Sequence, residues 1–273
     1  MQADHETDVK NLKSKNMKFN WNPDLYDDKH DFVFKFGEEI VKLLNPQKGE
    51  KILDIGCGTG DLTKKISEQC GKVIGIDNSN EMIQAAQKKY PEISFIHDDA
   101  INYQLDDTFD AIFSNAVLHW ITQPDTMIQN ANRHLKIGGR YVVEFGGKGC
   151  NYSIINTLKE QLDKEGLNYP SIESMLYYPS ISQYSTVLEN NGFEVNLALL
   201  FDRPTELKGG INGLHDFIEM FLNWLFKHVS DSDKSAIIKR TIDSLKPQIF
   251  DGKSWLADYR RIRIVAHKKN EIK

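Results

Sequence analysis

The chain has 273 residues, 40% hydrophobic and 10% aromatic, enough for one large α/β domain or a domain with an insert. A net charge of −5 supplies no basic footprint for duplex nucleic acid, so no nucleic-acid partner is expected. No apolar run reaches the roughly 18 residues of a membrane span, and the three cysteines (Cys57, Cys70, Cys150) lack metal-ligand spacing and form no even-numbered framework, which suggests a reduced cytoplasmic compartment and no bound metal.

In chain order, residues 1–17 are polar, mixed in charge and without a signal-peptide core, and are expected to be disordered. Residues 18–45 follow as an N-terminal strap or lid. In Trp21-Asn22-Pro23-Asp24-Leu25-Tyr26 the rings of Trp21 and Tyr26 carry polar handles, which suits a pocket wall; simple packing on the fold is the alternative. Next, Lys51-Ile52-Leu53-Asp54-Ile55 is an apolar strand running into Gly56-Cys57-Gly58-Thr59-Gly60, and an amphipathic helix spans about 60–69. Alternating glycines permit a tight turn and the close approach of a ligand. The helix start adds free N–H groups, so the loop reads as a cradle for a nucleoside-bearing ligand at the carboxyl edge of a parallel sheet. Cys57 reads as a small loop residue rather than a catalytic thiol.

Alternation continues with strands near 72–76, 93–96, 109–113 and 140–145 and helices near 80–89 and 124–135, the pattern of a parallel sheet. The second strand ends in Asp77, a carboxylate able to accept from both hydroxyls of a ribose. Asn78-Ser79-Asn80-Glu81-Met82 then opens a capped helix. Beyond residue 150 come helices near 151–165 and 181–191, a sixth strand over 193–201, two helices near 211–228 and 231–245, and a last strand over 256–267. The first of that pair carries Phe217, Phe221, Trp224 and Phe226 and reads as core or cap packing, with a hydrophobic pocket or a dimer surface as the alternative.

The dinucleotide fingerprint requires a glycine where this chain has Asp61, an anion that would repel pyrophosphate. An NAD-dependent dehydrogenase is disfavoured on that ground. The run Asp54-x-Gly56-x-Gly58-x-Gly60 instead resembles the cofactor loop of class I S-adenosylmethionine (SAM)-dependent methyltransferases, whose ligand is cationic where Asp54 would meet it. That resemblance implies a doubly wound, seven-stranded, mostly parallel Rossmann-like sheet. Its SAM-binding core would occupy 46–148, and 149–273 would complete the sheet. The last strand would insert antiparallel between the fifth and sixth, with a helical cap over about 209–247. It also implies that Met82 lies against the adenine, that Asp99 accepts from the exocyclic amine with Asp98 and Ala100 alongside, and that Asn78 flanks the ribose site. Backbone carbonyls of Ser114, Asn115 and Ala116 would hold the methionyl amino group. S-adenosylhomocysteine (SAH) would be the product.

The tryptophan motif at 21–26, taken with Ser114-Asn115-Ala116-Val117-Leu118-His119-Trp120, resembles the trans-aconitate methyltransferases, and the resemblance covers most of 19–147. Those enzymes esterify carboxylates. They carry an arginine-proline element after the tryptophan motif, where this chain reads Lys29-His30-Asp31-Phe32, so the resemblance supports a carboxylate acceptor without identifying it. Methyl transfer is an in-line displacement that needs alignment and desolvation. His119 is the candidate base or cofactor neighbour. An antiparallel last strand would bring Tyr259 and Arg260 to the cofactor edge, where an arginine can grip a carboxylate. The expected protein is thus a methyltransferase for a small acid, as monomer or homodimer. A carrier-protein or other macromolecular acceptor and a non-catalytic SAM-binding protein stand as alternatives.

Overall fold

Short apolar runs alternating with amphipathic helices produce a layered α/β architecture in the computed structural model, which describes residues 31–270. Trp21, Tyr26 and the polar segment 1–17 lie outside the described residues. The main sheet comprises β1 (Lys51–Ile55), β2 (Lys72–Asp77), β3 (Ser94–His97), β4 (Phe109–Asn115), β5 (Leu135–Gly146), β6 (Phe193–Asp202) and β9 (Arg260–Lys268), in the order β3-β2-β1-β4-β5-β9-β6. The first five are mutually parallel, and β9 runs antiparallel between β5 and β6. This is the doubly wound sheet expected from the sequence.

The strand sequences explain their places. Central strands read as continuous apolar runs because helices cover both faces, and Ile52, Leu53 and Ile55 of β1 are fully buried. One face packs Leu53, Ile112, Val143 and Ile264 against the helices Pro124–His134 and Ile181–Asn190. The other packs Ile52, Phe113 and Val142 against Ile40 and Leu44 of the helix Asp31–Leu44. The chain winds outward through β2 and β3, then returns to place β4 on the other side of β1. That reversal opens a cleft beyond the carboxyl ends of β1 and β4.

A charged cluster is buried on the second face. Glu144 of β5 is 1% exposed; its carboxylate accepts from Arg203 and from Arg263 Nε at 2.6 Å. Glu39 on the helix above reaches Arg263 Nη2 at 3.2 Å. Two cations thus share one fully buried anion, with a second, more exposed acid beside them.

Four elements differ from expectation. β5 begins at Leu135, five residues before the predicted 140, because Leu135 pairs with Phe109 before an irregularity restores register at Arg140. The predicted helix at 211–228 is a broken coil: a 3₁₀ turn, a short α-helix (Gly213–Phe217), a π-turn (Ile218–Leu222) and another 3₁₀ turn (Asn223–Phe226). Leu214, Phe217, Ile218, Leu222, Trp224, Leu225 and Phe226 are all buried, more side chains than one α-helical stripe can turn inward. Changing the helical pitch redirects them to the same core. The predicted last strand at 256–267 is two strands. β8 (Trp255–Ala257) pairs with β7 (Thr205–Leu207), unanticipated from the sequence, in a separate two-stranded sheet. The break falls at Asp258, whose carboxylate accepts from Ser153 N and Ser153 Oγ.

The broken coil, the helix Asp231–Ile249 and the β7–β8 pair form a cap with its own core, in which Leu158 and Leu162 of the helix Tyr152–Lys164 meet Leu214, Ile237 and Trp255. Among the described residues, no helix is long and apolar enough to cross a membrane.

Candidate active site

The glycine loop takes its shape from backbone conformations that favour glycine: φ is +74° at Gly56, +54° at Gly58 and +87° at Gly60. A Cβ on Gly56 would fall 2.3 Å from Val117 Cγ2, whereas one on Gly58 would meet nothing within 4 Å. Gly56 therefore closes the loop against the segment after β4, and Gly58 leaves open space for a ligand. The helix Asp61–Ser67 starts immediately afterwards, with Asp61 paired to Lys89 Nζ at 2.7 Å and accepting from Tyr90 Oη. The anion that breaks the dinucleotide pattern is thereby held to one side.

Asp77, at the tip of β2, ties two loops together. Its Oδ2 accepts from Gly58 N at 3.0 Å and its Oδ1 from Ser79 N at 2.9 Å. Burial pushes its carboxyl up, against the lowering effect of those N–H donors. Ser79 caps the helix Asn80–Lys89, its Oγ accepting from Met82 N at 3.2 Å.

A cavity of about 380 Å³ opens over these loops. Gly56, Gly58, Asp77, Asn78, Met82, Asp98, Asp99, Ala100 and Ala116 line it, together with Trp120. Asp99 Oδ1 is engaged by Ile101 N at 2.8 Å, while Asp98 Oδ1 accepts from Asp99 N at 2.8 Å. Ala116 stands in a left-handed conformation (φ +61°), which turns the chain at the cavity wall.

Asp54, Cys57, Gly60, Ser114, Asn115 and His119 were also expected at the cofactor, and they are absent from this lining. Asp54 is 2% exposed beneath the loop and accepts from Thr63 Oγ1 at 2.6 Å. Burial pushes its carboxyl up to about 7, and pushes the Cys57 thiol well above its ordinary range. Ser114 is fully buried and donates to Ile55 O at 2.8 Å, bracing β4 on β1. Gly60 packs on Phe95, and Asn115 lies beside Gly37 of the overlying helix.

The Asp54 carboxyl has a consequence for stability. An ordinary aspartate titrates near about 3.9, so between there and about 7 the folded state binds more protons than the unfolded state. Stability therefore falls as pH rises through that window. Asp54→Asn retains an acceptor for Thr63 and is expected to reduce this slope, measured by urea unfolding at about pH 5 and about pH 8. An unchanged slope would mean that Asp54 is already ionised in the folded protein.

Beyond β4, a 3₁₀ turn carries His119, 8% exposed, next to the end of β5. Its Nδ1 accepts from Gly146 N at 3.4 Å. Its ring lies 5.8 Å from that of Tyr178 and 5.1 Å from that of Trp120. Burial, and then the nearby Arg261 charge, hold its pKa well below the usual histidine range. His119 is thus neutral, and with Nδ1 accepting, the proton is assigned to Nε2. Trp120 lines the cavity and stacks on Phe221 of the cap at 6.2 Å, which joins cap to site.

Tyr259 and Arg260 both reach this edge, with different surroundings. Tyr259 is buried, edge-on to Phe217 at 6.2 Å. The Arg260 side chain, 42% exposed, turns to Asp202 Oδ1 at 3.2 Å and donates to Lys148 O at 3.4 Å. The arginine buried near His119 is Arg261, opposite Gly146 in the register. Sequence reasoning missed it and Tyr178; strand parity alone carried a signal for Arg261, and Tyr178 sits in a loop with no motif.

A glycine cradle, an acidic tip on β2 and a cleft at the switch point of a doubly wound sheet define a nucleoside-binding α/β protein. Residues 52–139 match the family model described as a methyltransferase domain. An uncharacterized methyltransferase of Schizosaccharomyces pombe is 31% identical over 260 residues, covering 91% of this chain and 98% of that protein. A trans-aconitate 2-methyltransferase of Deinococcus radiodurans is 28% identical over 127 residues, 45% of this chain and 48% of that protein. In fold, the chain is similar to a Haemonchus contortus phosphoethanolamine N-methyltransferase solved with phosphomonomethylethanolamine and SAH (TM-score 0.55, 18% identity, covering 91% of this chain and 57% of that one). The chain belongs to the SAM-dependent methyltransferases, and its cofactor is SAM. The open face at Gly58 and the acids along the cavity are compatible with that ligand.

Proposed function

We propose that the protein transfers a methyl group to a small-molecule carboxylate, forming an ester. SAM supplies a methyl carbon whose bond to sulfur breaks, the electron pair staying on sulfur, as a carboxylate oxygen bonds to it; no proton moves. The chain's own part is to bind, orient and keep water away.

In this reading Asp77 accepts from the ribose hydroxyls. Met82 and Ala100 flank the adenine, and Asp99, aided by Asp98, accepts from its amine. The loop at Gly56–Gly60 and the turn at Asn115–Ala116 hold the methionyl end, with Asp54 beneath. The acceptor faces His119 and Tyr259, and Arg260 stands at the rim.

The observation that carries the acceptor class is the state of His119. A neutral imidazole whose Nδ1 already accepts from Gly146 presents N–H, not a lone pair, at Nε2. Tyr178 beside it is a phenol that burial holds protonated. These groups donate hydrogen bonds and do not collect a proton, which suits an acceptor that arrives ionised and needs no base. An amine or phenol acceptor would need one.

The test is calorimetric titration of the purified protein with SAH, then a screen of small carboxylic acids for base-labile methyl ester. Transfer confined to amines or phenols would overturn the carboxylate reading. His119→Ala is expected to lower turnover by about tenfold or more, the scale of one hydrogen bond to a charged acceptor, while leaving SAH affinity within about twofold, since the ring lies outside the cofactor cavity. Equal losses in both would recast His119 as part of the cofactor site.

A further inference from the structure

Arg261 is 6% exposed, and its Nε has no hydrogen-bond partner. Among the described residues no carboxylate pairs with it, whereas an acid stands beside each neighbouring arginine: Asp202 lies 3.2 Å from Arg260 Nε, which like that of Arg261 makes no hydrogen bond, and Glu144 pairs with Arg203 and Arg263. The Arg261 guanidinium lies over the Tyr259 ring, 4.9 Å from its centroid. Burying a cation without an anion is costly, and proteins seldom retain the arrangement for stability. The site is also placed for a ligand. Arg261 pairs with Gly146, whose N–H meets His119, and its charge reaches His119, Cys150 and Tyr178. A Cβ at Gly146 would fall 2.5 Å from Tyr178 Cε1, so glycine there lets the phenol close one wall.

We propose that Arg261 is the anchor for a non-reacting anionic group of the acceptor, a second carboxylate held by the guanidinium fork over Tyr259. Neighbouring strands lie about 4.8 Å apart, and β9 stands two strands from β4, whose outgoing turn lines the SAM cavity. An anion held at the start of β9 is therefore displaced from the methyl donor by roughly 10 Å. That span leaves the reacting carboxylate free of the guanidinium, which would otherwise withdraw its nucleophilic electrons. The substrate class becomes a dicarboxylate, seated across His119. This rests on the acceptor reading above for the side of the sheet that the substrate occupies.

The experiment titrates SAH-saturated protein with succinate, dimethyl succinate and inorganic phosphate, following heat and tryptophan fluorescence. Each titration is repeated on Arg261→Met and Arg261→Lys, with the melting temperature of every variant. The expected result is that succinate binds the wild type and dimethyl succinate does not. Arg261→Met should weaken succinate binding by about tenfold or more, with Arg261→Lys in between. Without ligand, Arg261→Met should melt no lower than the wild type, because it removes an unpaired buried charge. Phosphate binding in place of succinate, lost in Arg261→Met, would keep the anion anchor and change the anionic group to a phosphoryl. Absence of binding by both anions, succinate binding untouched by Arg261→Met, or a marked drop in melting temperature for both variants would overturn it. Arg261-dependent succinate binding without any ester product would leave the anchor standing while the esterification reading failed; ester formation indifferent to Arg261→Met would do the reverse.

Discussion

Asp77→Ala should raise the dissociation constant for SAH by about ten- to a hundredfold, the scale of hydrogen bonds to a charged group. The size of the effect follows from what one carboxylate holds. Its two oxygens receive Gly58 N and Ser79 N, which fix the glycine loop after β1 and the helix start after β2. Alanine would free both loops and remove the acceptor proposed for the ribose hydroxyls together. Asp77→Asn serves as control: its amide nitrogen would face one of the two N–H donors, so it should recover only part of the loss. Calorimetric titration measures both variants, and unchanged affinity in Asp77→Ala would remove Asp77 from the cofactor site.

Glu144→Ala should cost about 3–5 kcal/mol of folding stability, because it strands the buried Arg203 and leaves the partly buried Arg263 with only the exposed Glu39. Arg203 is 9% exposed and its side chain has Glu144 as its most intimate acid, with Glu39 farther away at 3.7 Å. Burial already pulls the Arg203 pKa down, and the Glu144 charge opposes that pull. For a chain of this size the loss corresponds to a fall in melting temperature of about ten degrees. A loss under about 1 kcal/mol, the range of exposed ion pairs, would show that Glu39 suffices. The contrast with Arg261→Met is informative. Arg261 and Arg263 lie two residues apart on one strand, yet disturbing their surroundings is expected to move stability in opposite directions, since only Arg263 has an acid beside it.

Most of the sheet was legible because period and punctuation act locally. β1 was read as 51–55 and β2 as 72–76, against Lys51–Ile55 and Lys72–Asp77 in the structure; each is an apolar run ended by an acid or glycine. The lining of the cavity over the glycine loop was legible for the same reason. Its acids sit at or just after strand tips, where sequence position fixes spatial position, and Asp77 and Asp99 line the cavity together with Met82 from the first turn of the helix Asn80–Lys89. What failed depended on distant partners. The start of β5 hides in Lys136-Ile137-Gly138-Gly139, which reads as a helix end, and only pairing with Phe109 makes Leu135 a strand residue. The coil at 213–226 looks helical in period, but its apolar residues encircle the axis, and the cap core decides its pitch. Choosing between Arg260 and Arg261 required knowing which parity of β9 faces the helix Asp31–Leu44. The break at Asp258, fixed by Ser153 more than a hundred residues earlier, sets that parity.

The position of β9 has a consequence for how the chain is made. β6 touches no strand of the sheet except β9, which fills the space beside β5. On the ribosome, residues 193–202 must therefore wait, with their backbone edges unmatched, until residues 260–268 have emerged. The intervening cap has time to collapse on its own core first. A nonsense codon between residues 203 and 260 would remove β9 alone from the chain yet cost the sheet two strands, because β6 would lose its partner, and would leave β5 as a raw edge open to other nascent chains.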